Sequence, residues 1–251
     1  MDTEIIDPIL ITSGPDEQGV CRIILNRSQK ANALNSELAH GFLQAIHAIP
    51  ASDCNAVIIQ GAGRNFCAGF DFDGYDTMSP GDIIDRFVAI EKSLQLLRKA
   101  PFVSIAVVQG AAFGAGADIV ASSTYRLGSD RARFRFPGFQ FGVALGTRHL
   151  AQLIGLQKAR EILLQNSEVG CDDALAIGLL THREQENALV EKAETLAGAT
   201  ALLDPVSIES ILRLTSCSDP DRDMADLIRS LSRPGLRDRI ARYRNASGAR
   251  G

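Results

Sequence analysis

Two glycine-rich bends follow predicted strands, and each could present free backbone amides to a ligand. The first spans residues 61–71 with the sequence GAGRNFCAGFD, including the amide of Ala68, and the second spans residues 110–120 with the sequence GAAFGAGADIV. Glycine leaves little side-chain bulk at a bend, so a ligand atom can approach the N–H groups closely. Such donors stabilise a developing negative charge. Close packing of a helix against a neighbour explains the same glycines equally well, and both interpretations stay open.

Asp118 is the acidic residue within the second bend, in the first turn of the helix that follows it. A carboxyl group there can transfer protons, but it also stabilises the helix dipole without any chemistry. The spacing G-x-x-x-G-x-G differs from a dinucleotide fingerprint, and the lysine of a P-loop is absent. The four histidines accompany no G-x-S-x-G elbow, and among them His149 is the candidate for a functional role.

The composition argues against several classes of protein. The chain has 251 residues, of which 45% are hydrophobic and 22% charged, and its net charge of -4 offers no positive field for nucleic acid. The N-terminal sequence MDTEIIDPIL is acidic, unlike a signal peptide, and no segment supplies the roughly 20 apolar residues of a membrane helix. The five cysteines are scattered, which indicates reduced thiols and no metal site. We therefore expect a cytoplasmic protein that binds neither nucleic acid nor membrane.

Sequence runs typical of strands and of helices alternate along the chain. The strands and helices that they predict must position the two bends. The patterns predict strands at residues 5–12, 20–26, 56–60, 102–108, 125–128 and 131–136. They predict helices at residues 36–49, 82–98, 146–154, 157–165, 172–177, 185–199 and 204–214. The last stretch, residues 221–246, is arginine-rich and is broken at Pro234-Gly235. Strands dominate the first half and helices the second, which indicates an α/β fold with a helical C-terminal region.

Three motifs, in this order, resemble those of the crotonase superfamily, the enoyl-CoA hydratase/isomerase family. They are residues 25–34 (LNRSQKANAL), residues 65–71 (NFCAGFD) and residues 108–118 (VQGAAFGAGAD). The resemblance extends from residue 20 to about residue 243. It implies a crotonase-like spiral of ββα units over residues 1–200. It also implies a helical region over residues 201–251 that contributes to trimerisation and completes the CoA site, in a homotrimer or a dimer of trimers.

The resemblance also implies a site for an acyl-CoA thioester. The backbone N–H groups of Ala68 and Ala115 would hold the thioester oxygen and stabilise an enolate, with Asp118 as the catalytic acid or base. CoA is part of the substrate, so no separate cofactor is expected. The substrate-binding and CoA-binding positions implied are Lys30, Ala31, Asn32, Ala33, Gly69, Asp71, Gly114, Gly116 and Gly138. Candidates to contact the CoA phosphates are Arg237, Arg239 and Arg242.

Two departures from the family pattern concern proton transfer. Hydratases of this family carry two glutamates, and this chain has the shorter Asp118 at the first position and Gly138 at the second. Loss of a general acid or base removes a factor of about 10²–10⁴ in rate. We expect a hydratase/isomerase-family enzyme with atypical acid/base residues. The alternatives are a lyase, decarboxylase or hydrolase of the same fold and, in another class, a non-catalytic module that binds CoA esters or a protein.

Overall fold

The computed structural model describes residues 9–50, 53–217 and 219–248. The strands within them are β1 Leu10–Ser13, β2 Val20–Leu25, β3 Ala56–Gly61, β4 Val103–Val108, β5 Ala111–Phe113, β6 Tyr125–Gly128, β7 Arg133–Arg135, β8 Val169–Gly170 and β9 His182–Arg183. One sheet has the order β1-β2-β3-β4-β6-β9, parallel throughout except between β1 and β2. In a smaller sheet β7 pairs in parallel with β5 and antiparallel with β8.

Helices connect the strands and continue beyond them. They are α1 Ser36–His47, α2 Pro80–Lys99, α3 Ala115–Ala121, α4 Thr147–Ile154, α5 Leu156–Gln165, α6 Cys171–Ala176, α7 Leu189–Thr200, α8 Pro205–Leu214, α9 Pro220–Leu231 and α10 Leu236–Gly248. The starts of the first two are encoded locally. The Asn35 side chain caps α1, and Ser79 and Asp82 form a reciprocal capping box at the start of α2.

The central strands are apolar on both faces because helices cover both sides of the sheet. In β4, every residue is buried. Alternate residues of that strand enter different clusters, with Ala106 and Val108 on one side and Ile105 and Val107 on the other. This burial explains the continuous apolar sequence of β4, which is typical of a parallel strand covered on both faces.

Most of the observed elements agree with the sequence-based predictions, and four differences stand out. The two-residue strands β8 and β9 were not predicted. Strand β5 lies within the second glycine-rich bend, where no strand was predicted. The predicted break at Pro137-Gly138 is a short 3₁₀ helix, Pro137–Phe141. The predicted first strand begins with residues 5–8, which lie outside the described residues.

The C-terminal helices pack onto the same hydrophobic clusters as the first 200 residues. Ile208 of α8 lies in the cluster that contains Val20, and Leu227 of α9 and Ile240 of α10 lie in the larger cluster. The division into residues 1–200 and 201–251 stays a prediction. Within the described ranges, no single helix has the length and hydropathy to cross a membrane. The bent pair Glu186–Thr200 and Pro205–Leu214 meets that criterion only when the two helices are taken together.

Candidate active site

A cavity of about 120 Å³ lies between the two glycine-rich bends. Of the predicted site residues it is lined by Ala68, Gly114, Ala115, Asp118 and Gly138. Aromatic side chains form much of the remaining wall: Phe70, Phe72, Phe87, Phe113, Phe136, Phe139, Phe141 and Tyr243. The fold thus brings together two segments that are more than forty residues apart in the sequence, around a small and mostly apolar space.

The backbone amides of Phe70 and Ala115 have no hydrogen-bond partner among the described residues. The segment around Phe70 forms a parallel bridge with Leu34, in which the Leu34 amide donates to Gly69 and the Asp71 amide donates to Leu34. Successive amides of an extended chain point to opposite sides, so the Phe70 amide faces away from Leu34. Ala115 is the first residue of α3, where an N–H group has no partner within the helix.

The amide of Ala68 is already occupied, which corrects the prediction that it holds the thioester oxygen. It donates to the carbonyl of Ala31 at 2.9 Å. The chain then turns at Gly69, whose φ is +86°, and presents the amide of Phe70 instead. Sequence reasoning missed Phe70 because its availability depends on the long-range pairing with Leu34. The phenyl ring of Phe70 is held in place by Phe87, stacked at 4.3 Å between ring centroids.

Gly69 also sets how closely the two bends approach each other. An ideal Cβ built on this residue would lie 2.5 Å from the carbonyl oxygen of Phe113 and 3.2 Å from the nitrogen of Ala115. The first distance is shorter than Cβ contacts allow, so only glycine fits here without displacing backbone. The first bend therefore rests directly against the residues that begin α3.

Two amide side chains hold the first bend in shape. Asn32 is fully buried, and its Nδ2 donates to three carbonyl oxygens, of Ala62, Asn65 and Phe66, at 2.9–3.1 Å. Nε2 of Gln109 donates to the carbonyl oxygens of Gly61 and Gly63 and shares that of Asn65 with Asn32. The backbone conformation of the bend is thus determined by side chains from two other segments.

Residues 30–33, predicted to contact CoA, lie against this bend. Ala31 and Asn32 both have left-handed backbone conformations, with φ of 49° and 56°. Ala31 accepts the Ala68 amide, and Lys30 forms an exposed ion pair with Asp73 at 2.6 Å. The predicted proximity of this loop to Ala68 is therefore present in the structure, whereas binding of CoA by the loop stays a prediction.

Asp118 is 5% exposed, borders the cavity, and has no hydrogen-bond partner for its carboxyl group among the described residues. Burial raises the pKa of this carboxyl well above its usual 3.8, the charge of Glu91 raises it further, and the charge of Arg98 lowers it. Behind Asp118, the Arg98 guanidinium bridges Glu91 and Asp223 at 3.2 and 3.1 Å. Asp118 therefore keeps its proton at pH values where an exposed aspartate is ionised, and can act as an acid.

Gly138, where the family resemblance implies a second carboxyl group, has little room for a side chain. An ideal Cβ built on Gly138 would lie 2.7 Å from the carbonyl oxygen of Val143. The same turn is closed by a hydrogen bond from the Val143 amide to the Gly138 carbonyl at 2.9 Å. Within the part of the chain that the structure describes, Asp118 is the single carboxyl group that lines the cavity.

Two residues predicted to bind the substrate are committed to other contacts. Gly116 packs against the first bend, because an ideal Cβ there would lie 2.3 Å from the carbonyl oxygen of Cys67. The Asp71 carboxylate forms a buried ion pair with Arg27 at 2.6 Å and accepts the Asp73 amide at 3.0 Å. Neither residue lines the cavity. Both therefore stabilise the architecture around the site.

We predict that Asp71→Ala lowers the free energy of unfolding by about 3–5 kcal/mol, because removal of one partner leaves a buried charge on Arg27 uncompensated. Urea denaturation monitored by circular dichroism measures the change. The control is Asp73→Ala, which removes the exposed ion pair with Lys30 and should leave stability unchanged. Equal losses in the two variants would contradict a structural role for Asp71.

His149 has a structural explanation. Its Nε2–H donates to the carbonyl of Ala121 at 2.8 Å, and burial lowers the pKa of its imidazole to about 4, with the charge of Arg98 contributing. It does not line the cavity that contains Asp118. The described residues also contain no group of three or more His, Cys, Asp or Glu side chains that could hold a metal ion.

Comparisons with known proteins identify the family. Residues 15–210 match the enoyl-CoA hydratase/isomerase family model. YngF of Bacillus subtilis, named as an enoyl-CoA hydratase/isomerase, is 31% identical over 209 residues, or 80% of this chain and 79% of that protein. The short-chain-enoyl-CoA hydratase of Clostridium acetobutylicum is 30% identical over 203 residues, or 77% and 76% of the two chains. A crystal structure from Bordetella parapertussis, likewise named as an enoyl-CoA hydratase/isomerase, has a TM-score of 0.91 at 33% identity, covering 94% of this chain and 98% of that one. The chain has the crotonase fold and belongs to the enoyl-CoA hydratase/isomerase family.

Proposed function

We propose that this protein is an enzyme that acts on an acyl-CoA thioester, with the thioester oxygen held by the amides of Phe70 and Ala115. One observation carries the proposal: two backbone amides without a partner among the described residues border the same small cavity as the buried Asp118 carboxyl group, whose pKa is raised by burial. As the substrate becomes an enolate, its oxygen gains negative charge that two N–H donors stabilise. Binding energy at this point therefore accelerates the reaction rather than only holding the substrate.

Asp118 supplies the proton transfer in this proposal. A neutral carboxyl group can donate its proton to the enolate carbon, and the resulting carboxylate can remove a proton in the opposite direction. With Gly138 in place of a second acid, a reaction with one proton transfer suits the site better than hydration, which relatives perform with two carboxyl groups. Hydratase or isomerase activity is the function that family membership favours. A lyase, decarboxylase or hydrolase reaction through the same enolate is the alternative that the residues favour.

The CoA portion has a candidate contact in the C-terminal helices. Arg239 of α10 is buried, and its Nε and Nη1 have no hydrogen-bond partner among the described residues. Nε of Arg237 is also buried without a partner, whereas Nε of Arg242 donates to the carbonyl of Asp238. Unpaired guanidinium groups are suited to phosphate, which supports a role for Arg237 and Arg239 in holding CoA. No cofactor beyond the substrate is part of the proposal.

Assembly into a homotrimer or a dimer of trimers also belongs to this proposal. Large apolar side chains on α5 and α8 are exposed in the single chain, including Leu164 at 82% and Leu214 at 73%. Exposed apolar groups of this kind are typical of surfaces that another subunit covers.

A module that binds CoA esters without reacting is the competing function, and Gly138 is the residue that favours it. A panel of acyl-CoA esters distinguishes the two, with loss of the conjugated thioester absorbance and release of free thiol as the readouts. We expect at least one ester to be consumed, with product identified by mass spectrometry. Measurable binding without turnover of any ester would favour the binding module.

We predict that Gly146→Ala lowers kcat on the order of 10²-fold, because displacements of about 1 Å at a catalytic group have effects of this size. Gly146 has φ of +60°, and an ideal Cβ there would lie 2.2 Å from Oδ1 of Asp118. The matched control is Gly155→Ala, at φ +85° with no atom within 4 Å of the added Cβ. Steady-state kinetics on both variants separate the effect of displacing Asp118 from that of backbone strain. Equal losses of kcat in Gly146→Ala and Gly155→Ala would contradict the prediction.

A further inference from the structure

Arg135 brings a positive charge to a cavity whose other walls are mostly apolar. It is the last residue of β7, and its backbone carbonyl accepts the amide of Gly114 at 2.8 Å. It lies opposite Phe113 in the parallel register of β5 and β7. Arg135 is among the described residues that line the same cavity as Phe70, Ala115 and Asp118, and it is the one arginine or lysine among them. The Arg135 backbone therefore contacts Gly114, the residue that directly precedes Ala115. The Ala115 amide is one of the two that we propose bind the thioester oxygen.

The Arg135 guanidinium has no counter-ion within residues 9–50, 53–217 and 219–248. Its Nε is buried without a hydrogen-bond partner, and no ion pair involves it among the described residues. Two other arginines of the same segment differ in this respect, because Arg131 pairs with Glu186 and Arg133 pairs with Glu168. Leaving a charged group partly buried and unpaired is costly, and each such group in a native protein needs an explanation.

The residues that line the cavity form no ion pair with Arg135 in the described part of the chain. Asp118 is the carboxyl group that lines the cavity, and burial together with Glu91 raises the pKa of that carboxyl well above 3.8. The site before substrate binding is therefore a small, mostly aromatic space with one unpaired cation. A guanidinium in such a space is suited to a carboxylate, which can accept two parallel N–H donors from its planar fork.

We propose that Arg135 binds a carboxylate at the end of the acyl group, so that the substrates are CoA thioesters of short dicarboxylic acids. This inference rests on the proposed function, in which an acyl-CoA occupies the cavity. Two observations favour the acyl end over the CoA phosphates as the source of the anion. Arg135 lies beside the thioester-binding residues, and the phosphates lie at the far end of the pantetheine arm. The cavity of about 120 Å³ is also small beside ordinary ligand pockets of about 300–1,000 Å³, which favours a short acyl chain.

Calorimetry with two esters of similar size tests the inference: glutaryl-CoA, which ends in a carboxylate, and hexanoyl-CoA, which ends in an ethyl group. We expect the wild-type protein to bind glutaryl-CoA at least 10-fold more tightly than hexanoyl-CoA. Arg135→Met should weaken glutaryl-CoA on the order of 30-fold, the effect of removing one partner of a buried charge pair. The same variant should change the affinity for hexanoyl-CoA by less than about threefold. The control Arg133→Met, on the same strand but paired with Glu168, should change neither affinity.

The remaining outcomes overturn the inference in distinguishable ways. Equal affinity of the wild-type protein for the two esters overturns it. Equal weakening of both esters and of free CoA by Arg135→Met would instead assign the guanidinium to a CoA phosphate. If Arg135→Met does not fold, Arg135→Lys decides the question. Lysine keeps the charge but lacks the two parallel N–H donors of the guanidinium, so the affinity for glutaryl-CoA should fall while that for hexanoyl-CoA does not. Failure of the wild-type protein to bind any acyl-CoA would overturn the proposed function, whereas binding without preference would overturn only this inference.

Discussion

Asp118→Asn is expected to lower kcat about 10²–10⁴-fold while the dissociation constant for the acyl-CoA ester changes by no more than a few-fold. The range is the usual contribution of a general acid or base. Asparagine has the same shape as aspartate, so the cavity and the two free amides are preserved, but it has no proton to give to the enolate carbon. Steady-state kinetics and calorimetry on one ester measure the two quantities. Unchanged turnover in the purified variant would remove Asp118 from the mechanism.

The pH dependence follows from the raised pKa of Asp118. If the carboxyl group acts as an acid, kcat falls as pH rises through that pKa, because the ionised form has lost the proton to be donated. The free energy of unfolding also falls as pH rises. The folded state holds a proton that the unfolded chain releases above pH 3.8, so rising pH destabilises the wild-type protein until the folded carboxyl ionises.

Asp118→Asn should therefore raise the melting temperature at neutral pH and have little effect on it near pH 3. The control is Ser122→Ala, at the residue that caps the C-terminal end of α3 and lies outside the lining of the catalytic cavity. It should alter neither the pH profile nor kcat. A melting temperature that responds to Asp118→Asn equally at both pH values would contradict the buried, protonated state of this group.

Gly69→Ala is expected to lower kcat about 10²–10³-fold, the effect of losing one donor of an oxyanion hole. The added Cβ would lie 2.5 Å from the Phe113 carbonyl and 3.2 Å from the Ala115 nitrogen, so the first bend must move away from α3. The amides of Phe70 and Ala115, which we propose hold the thioester oxygen, then lose their common geometry. Because the enolate gains charge that the thioester lacks, kcat should fall more than affinity.

The matched control for this variant is Gly74→Ala. Gly74 also has a positive φ, +70°, but the nearest atom to its added Cβ is Oγ1 of Thr77 at 3.7 Å. Backbone strain is therefore present in both variants, whereas only Gly69→Ala introduces a contact with the second bend. The melting temperatures measure the effect of the strain that both variants share. The values of kcat measure the further effect of displacing the first bend in Gly69→Ala. Comparable losses of kcat would show that strain, rather than displacement of the amides, explains the effect.

The positions of most elements could be predicted from sequence because neighbouring residues encode them. An apolar run such as that of β4 favours a buried strand, and a capping residue followed by an apolar face, as in α1, favours a helix. Both patterns predict these elements independently of the rest of the chain. The order of three motifs was also sufficient to indicate the family, and the comparisons confirmed it. The position of Asp118 after a glycine-rich bend left its role open, the family resemblance implied that it is the acid or base, and the structure places it at the cavity wall.

Which amide is free could not be predicted in the same way. The Ala68 amide is occupied by Ala31, and the Phe70 amide is left open by the pairing of its neighbours with Leu34. Both contacts join segments more than thirty residues apart. The unpaired state of Arg135 is likewise a property of its surroundings, since Arg133 two residues earlier has a partner.

The amino-acid sequence by itself determined the elements, the family and the identity of the one acid in the site. The tertiary structure decided which backbone donors are available, that burial raises the pKa of the acid, and that Arg135 at the same cavity has no ion-pair partner among the described residues. The physical reason is that helix and strand formation depends on residues close in sequence. Hydrogen-bond occupancy, solvent exclusion and charge balance depend instead on groups that only the folded chain brings together.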